Sequence, residues 1–188
     1  MSENILKSIL IATLIFILSA LVGAGLVIHN PQIGETFMQV LSGALDLEKL
    51  MEQPPLMLAA MLFVNNLQAC IILFLGGVTF GILTVFVLAT NGVIVGAVAQ
   101  ISNELQGGLY VIAALLPHGL FELPALFISG ALGLMLSGAI QRELLEGGDA
   151  AHDAGRYTVI FAKTVTPLLV LAAITEAFIT PGIIVLVV

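Results

Sequence analysis

Long apolar runs separated by short polar stretches dominate the chain. They cover residues 5–28, 56–75, 78–100, 109–140 and 164–187. A helix needs about 20 apolar residues to cross a bilayer, because each residue advances it by about 1.5 Å through a hydrocarbon core of about 30 Å. The pattern predicts an all-α membrane protein in one integral membrane domain, 1–188, a polytopic bundle of about five transmembrane helices with kinked or broken helices.

Two regions of the chain, 56–100 and 109–140, are longer than a single membrane span requires. Residues 56–100 contain no charged side chain and suit two spans joined by a turn at Gly76-Gly77, with a re-entrant segment as the alternative. Residues 109–140 would form a straight helix of about 48 Å, which exceeds the hydrocarbon core. Pro117 and Gly119 therefore predict a break that leaves 109–116 as a half-helix and 119–140 as the complete span.

The two longest weakly apolar segments lie between spans. In residues 29–54, Phe37, Val40, Leu41 and Ala44 recur at helical spacing, which predicts an amphipathic helix on the membrane surface. Residues 141–163 are predicted to form a polar loop. The chain thus offers little room for a separate catalytic domain, and we expect it not to be an enzyme.

Composition narrows the class of protein. The chain is 60% hydrophobic and 9% charged, whereas soluble domains are about 25% charged. Its net charge of -7 is opposite to the basic surface that nucleic acid requires, so nucleic acid is excluded as a partner and membrane lipid is expected. Cys70 is the single cysteine, and its apolar surroundings predict a packed thiol.

The basic residues predict the orientation in the cell membrane. With five spans, Lys7, Arg142, Arg156 and Lys163 share one side and Lys49 lies on the other. Basic residues accumulate on the cytoplasmic side. We therefore expect a cytoplasmic N-terminus and an extracytoplasmic C-terminus.

Two pairs of glycines have a spacing of four residues, one at the turn after the second run and one within the third. Such spacing makes a flat helix surface that lets two backbones approach closely. Packing within the chain is the simpler interpretation, and a homo-oligomer interface is the alternative. The helix-packing candidates are Gly77, Gly81, Gly92 and Gly96.

Several polar side chains lie within the apolar runs, where an ionisable group needs a partner, water or neutralisation. His118 and Glu122 are four residues apart and share a helix face. Pro117 and Pro124 free the carbonyls of the residues four positions earlier, close to that pair. We hypothesise that the following residues converge: Asn65, Asn66, Asn91, His118, Glu122 and Glu176.

This polar set has three interpretations. It could lock the bundle by hydrogen bonding, line a proton or ion pathway, or contact a lipid or partner. One His beside one Glu supplies two metal ligands, and the zinc-protease signature is absent from the sequence. No metal, cofactor or catalytic residue is predicted.

Several motifs occur in a characteristic order: FVNN at 63–66, GGVTFG at 76–81, LATNG at 88–92, LLPHGLFELPAL at 115–126 and AAITEAFITP at 172–181. In this order they resemble the stage II sporulation protein M family. The resemblance implies a five- or six-helix membrane protein without known enzymatic activity. In sporulating bacteria, the protein after which the family is named resembles a membrane anchor for peptidoglycan-remodelling enzymes.

The residues and the resemblance together predict a non-enzymatic membrane scaffold, or a partner-binding component of a complex of this family. Its partner would be a membrane or cell-envelope protein. The alternative is a small transporter or channel component that uses the intramembrane His, Glu and Asn side chains. A continuous polar path would favour transport, and a sealed, fully hydrogen-bonded cluster would favour the scaffold.

Overall fold

The computed structural model describes residues 2–30, 32–34, 36, 39 and 53–186. Among these residues, the long α-helices that come first are α1 (Ser2–His29), α2 (Pro55–Leu75), α3 (Ile82–Gln106) and α4 (Gly108–Glu146). Residues 150–185 are helical throughout. They comprise α5 (Ala150–Ile160), a π-helical segment (Phe161–Val165), α6 (Thr166–Ile174), a second π-helical segment (Thr175–Ile179) and α7 (Thr180–Val185).

Within these described residues, five helices are long and apolar enough to cross a membrane. They are Ile5–His29, Pro55–Thr79, Ile82–Gln106, Gly108–Glu146 and Ala150–Val185. The predicted all-α fold with about five spans is confirmed. The run 56–100 forms two antiparallel helices rather than one span with a re-entrant segment.

The turn between α2 and α3 begins at the predicted glycine pair and extends further. A short 3₁₀ helix covers Gly76–Thr79, after which Phe80 and Gly81 both adopt positive φ angles, 55° and 81°. Glycine suits this left-handed region, whereas phenylalanine is rare there. The Thr79 hydroxyl accepts a hydrogen bond from Leu83 N at 3.0 Å, which satisfies a free donor at the start of α3.

The predicted break near Pro117 is wrong. Helix α4 runs without interruption through Pro117 and Pro124 to Glu146. A proline removes one backbone hydrogen bond, and the surrounding bonds and the packing of neighbouring helices hold the rest of the helix together. At 39 residues, α4 is about 58 Å long, so it extends beyond a hydrocarbon core of about 30 Å.

The prediction of a polar loop over residues 141–163 is also wrong for most of that range. Helix α4 continues to Glu146, and after a turn at Gly147 with φ of 75° the chain re-enters a helix at Ala150. Asp149 caps α5, because its carboxylate accepts a hydrogen bond from His152 N at 2.8 Å. The predicted surface helix, with Phe37, Val40, Leu41 and Ala44, lies outside the described residues.

Helix α4 is the centre of the bundle. It contacts α1, α2, α3 and the last span, and it is the most buried of the five candidate spans. Leu132 packs with Val165 and Leu169 in the largest core cluster, whereas Leu126 packs with Phe16 in a second. Each of the other spans therefore contacts α4, although α1 packs most extensively against α3.

Glycines let the helices touch backbone to backbone. A Cβ atom at Gly92 or Gly96 would overlap backbone atoms of α1, and one at Gly77 would overlap the Gly133 carbonyl oxygen of α4. Gly81 instead serves the left-handed turn. Gly77, Gly92 and Gly96 therefore pack within the chain, so their spacing gives no support to a homo-oligomer interface.

Candidate functional site

The structure brings His118 and Glu122 of α4 together with Glu176 of the last span. His118 Nε2 lies 3.7 Å from Glu176 Oε2, and one ligand atom from each of the three side chains lies within 4.8 Å of the others. The side chains of His118 and Glu176 are 14% and 32% exposed. These three residues are called the His-Glu-Glu cluster below.

Helical spacing explains why the two cluster residues of α4 lie together. His118 and Glu122 are one turn apart, so both side chains leave the same face of the helix. Pro117 and Pro124 lack the N–H groups that would bond the carbonyls of Ala113 and Leu120. The cluster therefore lies on a stretch of helix that has two fewer backbone hydrogen bonds than a regular α-helix.

Glu176 lies in a π-helical segment, Thr175–Ile179. Pro181 follows two residues later, and in a regular α-helix its ring would meet the carbonyl of Ala177. A π turn widens the helix and relieves that clash. The Thr180 hydroxyl donates to Thr175 O at 3.2 Å and satisfies a carbonyl within this turn. π turns of this kind often occur at functional sites.

Helix α2 completes the surroundings of the cluster. The Asn66 side chain lies close to Glu122. Cys70, one turn further along α2, is buried and also faces this region, close to Glu122 and Ser129. The predicted packed thiol is thus found, and its position next to the cluster was not apparent from the sequence.

The other asparagines of the predicted set are placed differently. The Asn91 side chain donates to Val87 O of its own helix at 2.8 Å. Asn65 is exposed on α2, whereas Asn66 beside it is half-buried. Of the three asparagines, the structure brings Asn66 to Glu122.

The hydrogen bonding of the cluster is incomplete. Among the buried side-chain nitrogen and oxygen atoms of the described residues, His118 Nδ1 is the one without a hydrogen-bond partner. Ionised His118 supplies one positive charge against the two negative charges of ionised Glu122 and Glu176. An unbalanced charge is costly at membrane depth, so a proton or a small cation would stabilise this arrangement.

The cluster has the chemistry to hold such an ion. An imidazole nitrogen and two carboxylates are ligands that divalent transition metals accept, and the same groups accept and release protons. Asn66 offers an amide oxygen next to Glu122. His118, Glu122 and Glu176 are therefore the residues that would bind a cation within the bundle.

Comparison with known proteins shows which family the chain belongs to. The family model described as stage II sporulation protein M matches residues 12–181, a range that includes the whole cluster. An uncharacterized protein of Methanocaldococcus jannaschii is 29% identical over 126 residues, which cover 63% of this chain and 68% of the relative. No solved structure matches the chain. With five apolar spans and a family match over nearly its whole length, the chain is a multi-pass membrane protein that belongs to the stage II sporulation protein M family.

Proposed function

We propose that the protein is a small transporter or channel component, without enzymatic activity, that binds a proton or a small cation at the His-Glu-Glu cluster. The observation that carries this proposal is the 3.7 Å approach of His118 to Glu176 from two different spans. Ionisable side chains within spans mark ion and proton pathways in membrane proteins. Here three of them meet at one point.

The position of the cluster along its helices supports the proposal. His118 lies ten residues after the start of α4 at Gly108, and Glu176 lies nine residues before the end of α7 at Val185. Each is therefore about 15 Å from the nearer helix end. A cation entering from that end would meet the carboxylates well inside the bundle.

The irregular backbone also supports the proposal. Prolines interrupt the hydrogen bonding of α4 on both sides of the His118–Glu122 pair, and Glu176 lies on a π turn. Ion-binding sites in transporters commonly lie where helices depart from regular α-helical geometry, because freed carbonyls there join in binding the ion.

A membrane scaffold that binds a cell-envelope partner is the second candidate. It is favoured by the polar side chains of α5, at the beginning of the last span, and by the family description, which names a sporulation protein. Arg142 pairs with Asp153 at 3.3 Å and Ala150 N donates to Glu143, so α5 is held in one orientation with exposed polar side chains. In this candidate function, the His-Glu-Glu cluster would hold the spans together.

Flux measurements separate the two candidates. The full chain is reconstituted in liposomes, and flux is measured under an imposed membrane potential. An enclosed pH-sensitive dye reports protons, and enclosed ion-selective dyes report Na⁺, K⁺ and Zn²⁺ in separate preparations. Glu122→Gln and Glu176→Gln should reduce the flux strongly. Glu104→Gln is the matched control, because Glu104 is an exposed carboxyl group outside the cluster that bonds to Gln100.

Flux of at least one of these cations above protein-free liposomes, lost in both cluster variants and kept in the control, is the expected result. If every cation crosses at the rate of protein-free liposomes, the transport proposal is wrong. The scaffold would then be tested by cross-linking at α5 in cells, with the exposed His152 as the attachment site.

A further inference from the structure

A second polar site lies at the opposite end of the bundle from the His-Glu-Glu cluster. A cavity of about 360 Å³ opens there between α1, α4 and α5. The charged residues that line it, Lys7 and Arg142, are both cationic, and Ser8 and Tyr157 add hydroxyl groups. Its volume falls in the range of about 300–1,000 Å³ that is typical of ligand-binding cavities.

The lining changes from polar to apolar with depth. Ile11 lies one turn inward from Lys7 on α1, and Gly138 lies one turn inward from Arg142 on α4. Leu134 follows a further turn along α4. Basic side chains therefore lie at the mouth of the cavity, and apolar side chains line it toward the middle of the membrane.

An ion pair orients the exposed side chain of Arg142. Its guanidinium group lies 3.3 Å from Asp153 Oδ2 of α5, and the Tyr157 side chain lines the same cavity. A guanidinium group has five N–H donors, so this ion pair leaves others for a ligand. Asp153 neutralises part of the local charge, and Lys7 keeps the mouth of the cavity cationic.

Gly138 creates the space behind the two cations. A Cβ atom at this position would meet Arg142 Nη1 at 3.6 Å, an ordinary contact, and no backbone atom of another helix comes as close. A larger side chain at residue 138 would therefore enter the cavity without displacing a neighbouring helix. This property distinguishes Gly138 from glycines such as Gly133, which packs against α2.

We propose that this cavity binds an anionic phospholipid. Lys7 and Arg142 would bind the phosphate group, Ser8 and Tyr157 would hydrogen-bond to the headgroup, and the acyl chain would lie along Ile11 and Leu134. Basic pockets between transmembrane helices bind anionic headgroups in this way. The apolar continuation of the cavity favours a lipid over free phosphate, which has no apolar part to bury.

The site is independent of the proposed function. Arg142 is 24 residues beyond His118 on the same helix, a separation of about 36 Å along the axis. Loss of lipid binding would thus leave the cation proposal untouched, and loss of cation flux would leave the lipid proposal untouched.

Native mass spectrometry of the full chain in neutral detergent tests the proposal. The protein is titrated with dioleoylphosphatidylglycerol and, separately, with dioleoylphosphatidylcholine. We expect one phosphatidylglycerol to bind about tenfold more tightly than phosphatidylcholine, and Lys7→Gln to weaken it about fivefold, the effect of one cation near a membrane surface. Lys163→Gln is the control, because it removes one exposed cation that does not line the cavity.

Gly138→Leu tests the shape of the site with both cations retained. The leucine should fill the cavity and abolish tight phosphatidylglycerol binding, while a thermal unfolding midpoint at least equal to that of the original chain shows that the fold is intact. This variant avoids the loss of the Arg142–Asp153 pair that an Arg142 substitution would cause.

Three results would overturn the lipid assignment. They are equal affinity for the two lipids, equal effects of Lys7→Gln and Lys163→Gln, and unchanged affinity in a folded Gly138→Leu protein. A competition experiment with inorganic phosphate distinguishes a lipid site from a site for free phosphate. If inorganic phosphate displaces phosphatidylglycerol as effectively as added phosphatidylglycerol does, the cavity is an anion site and not a lipid site.

Discussion

Glu176 Oε2 lies 3.7 Å from His118 Nε2, although the two residues are 58 positions apart in the chain. The contact joins the central helix to the last span. It places a second carboxyl group beside the His118–Glu122 pair, and the resulting set of ligand atoms is compact enough for one ion. The contact between the two spans and the proposed ion binding therefore involve the same three side chains.

The first prediction concerns Glu122. Glu122→Gln keeps a hydrogen-bonding group next to Asn66 and His118, whereas Glu122→Leu places an apolar side chain beside these two polar groups. We expect the leucine variant to be less stable than the glutamine variant by about 1–3 kcal/mol, the cost of unsatisfied buried polar groups. Thermal unfolding in detergent measures the difference, with Glu104→Leu as an exposed control. A leucine variant as stable as the glutamine variant would contradict this prediction.

Gly96 provides a packing prediction. Gly96→Ala would place a methyl group against the Ala20 carbonyl oxygen of α1, so the two helices must separate. We expect a loss of about 1–3 kcal/mol, which is typical of overpacking. Gly25→Ala is the matched control, because a Cβ atom there meets nothing within 4 Å and alanine favours the helix. Equal unfolding midpoints for the two variants would show that α1 and α3 do not pack as described.

A third prediction concerns the cap that Asp149 forms at the beginning of α5. Asp149→Ala removes the acceptor for His152 N, and we expect the helix to lose about 0.5–2 kcal/mol. Asp149→Asn keeps an oxygen at this position and should behave like the original chain. Hydrogen exchange of the amides of His152 and Asp153 reports the effect locally. Unchanged protection in the alanine variant would rule out a stabilising cap.

The orientation in the membrane is predicted from the four-to-one distribution of basic residues. Lys7 and Arg142 line one cavity, so the beginning of α1 and the end of α4 lie at the same end of the bundle, as five spans require. In a Cys70→Ala background, Gln106→Cys should react with an impermeant thiol reagent on intact cells, whereas Glu146→Cys should react after permeabilisation. Reaction of both cysteines from one side would disprove the five-span topology.

Hydropathy was sufficient to locate the spans, because a membrane helix must cover its backbone with apolar side chains over a defined length. It did not predict the continuity of α4. The sequence shows that Pro117 removes a hydrogen bond, but not that four other spans pack around α4 and keep it helical. For the same reason, the polar segment after residue 140 looked like a loop, although α4 and α5 occupy most of it.

The cluster was partly predictable. His118 and Glu122 are related by helical periodicity, which the sequence displays directly. The cost of isolated charge suggested that Glu176 joins them, but its position depends on a π turn that no periodicity indicates. Asn91 was placed with the cluster because it is polar and within a span; instead its amide bonds to the preceding turn of its own helix. A hydrogen bond from a side chain to its own helix competes with tertiary contacts. The sequence pattern does not show which of the two forms.

The close contact of Gly92 and Gly96 with α1 also constrains the order of events during biosynthesis. These glycines belong to the third span, so α1 enters the bilayer before the surface that it packs against has been translated. Helix α2, which comes between them, packs mainly against α3, α4 and the last span. The nascent first span must therefore remain beside the insertion machinery, or wait in lipid, until Gly96 has emerged from the ribosome and the two backbones can meet.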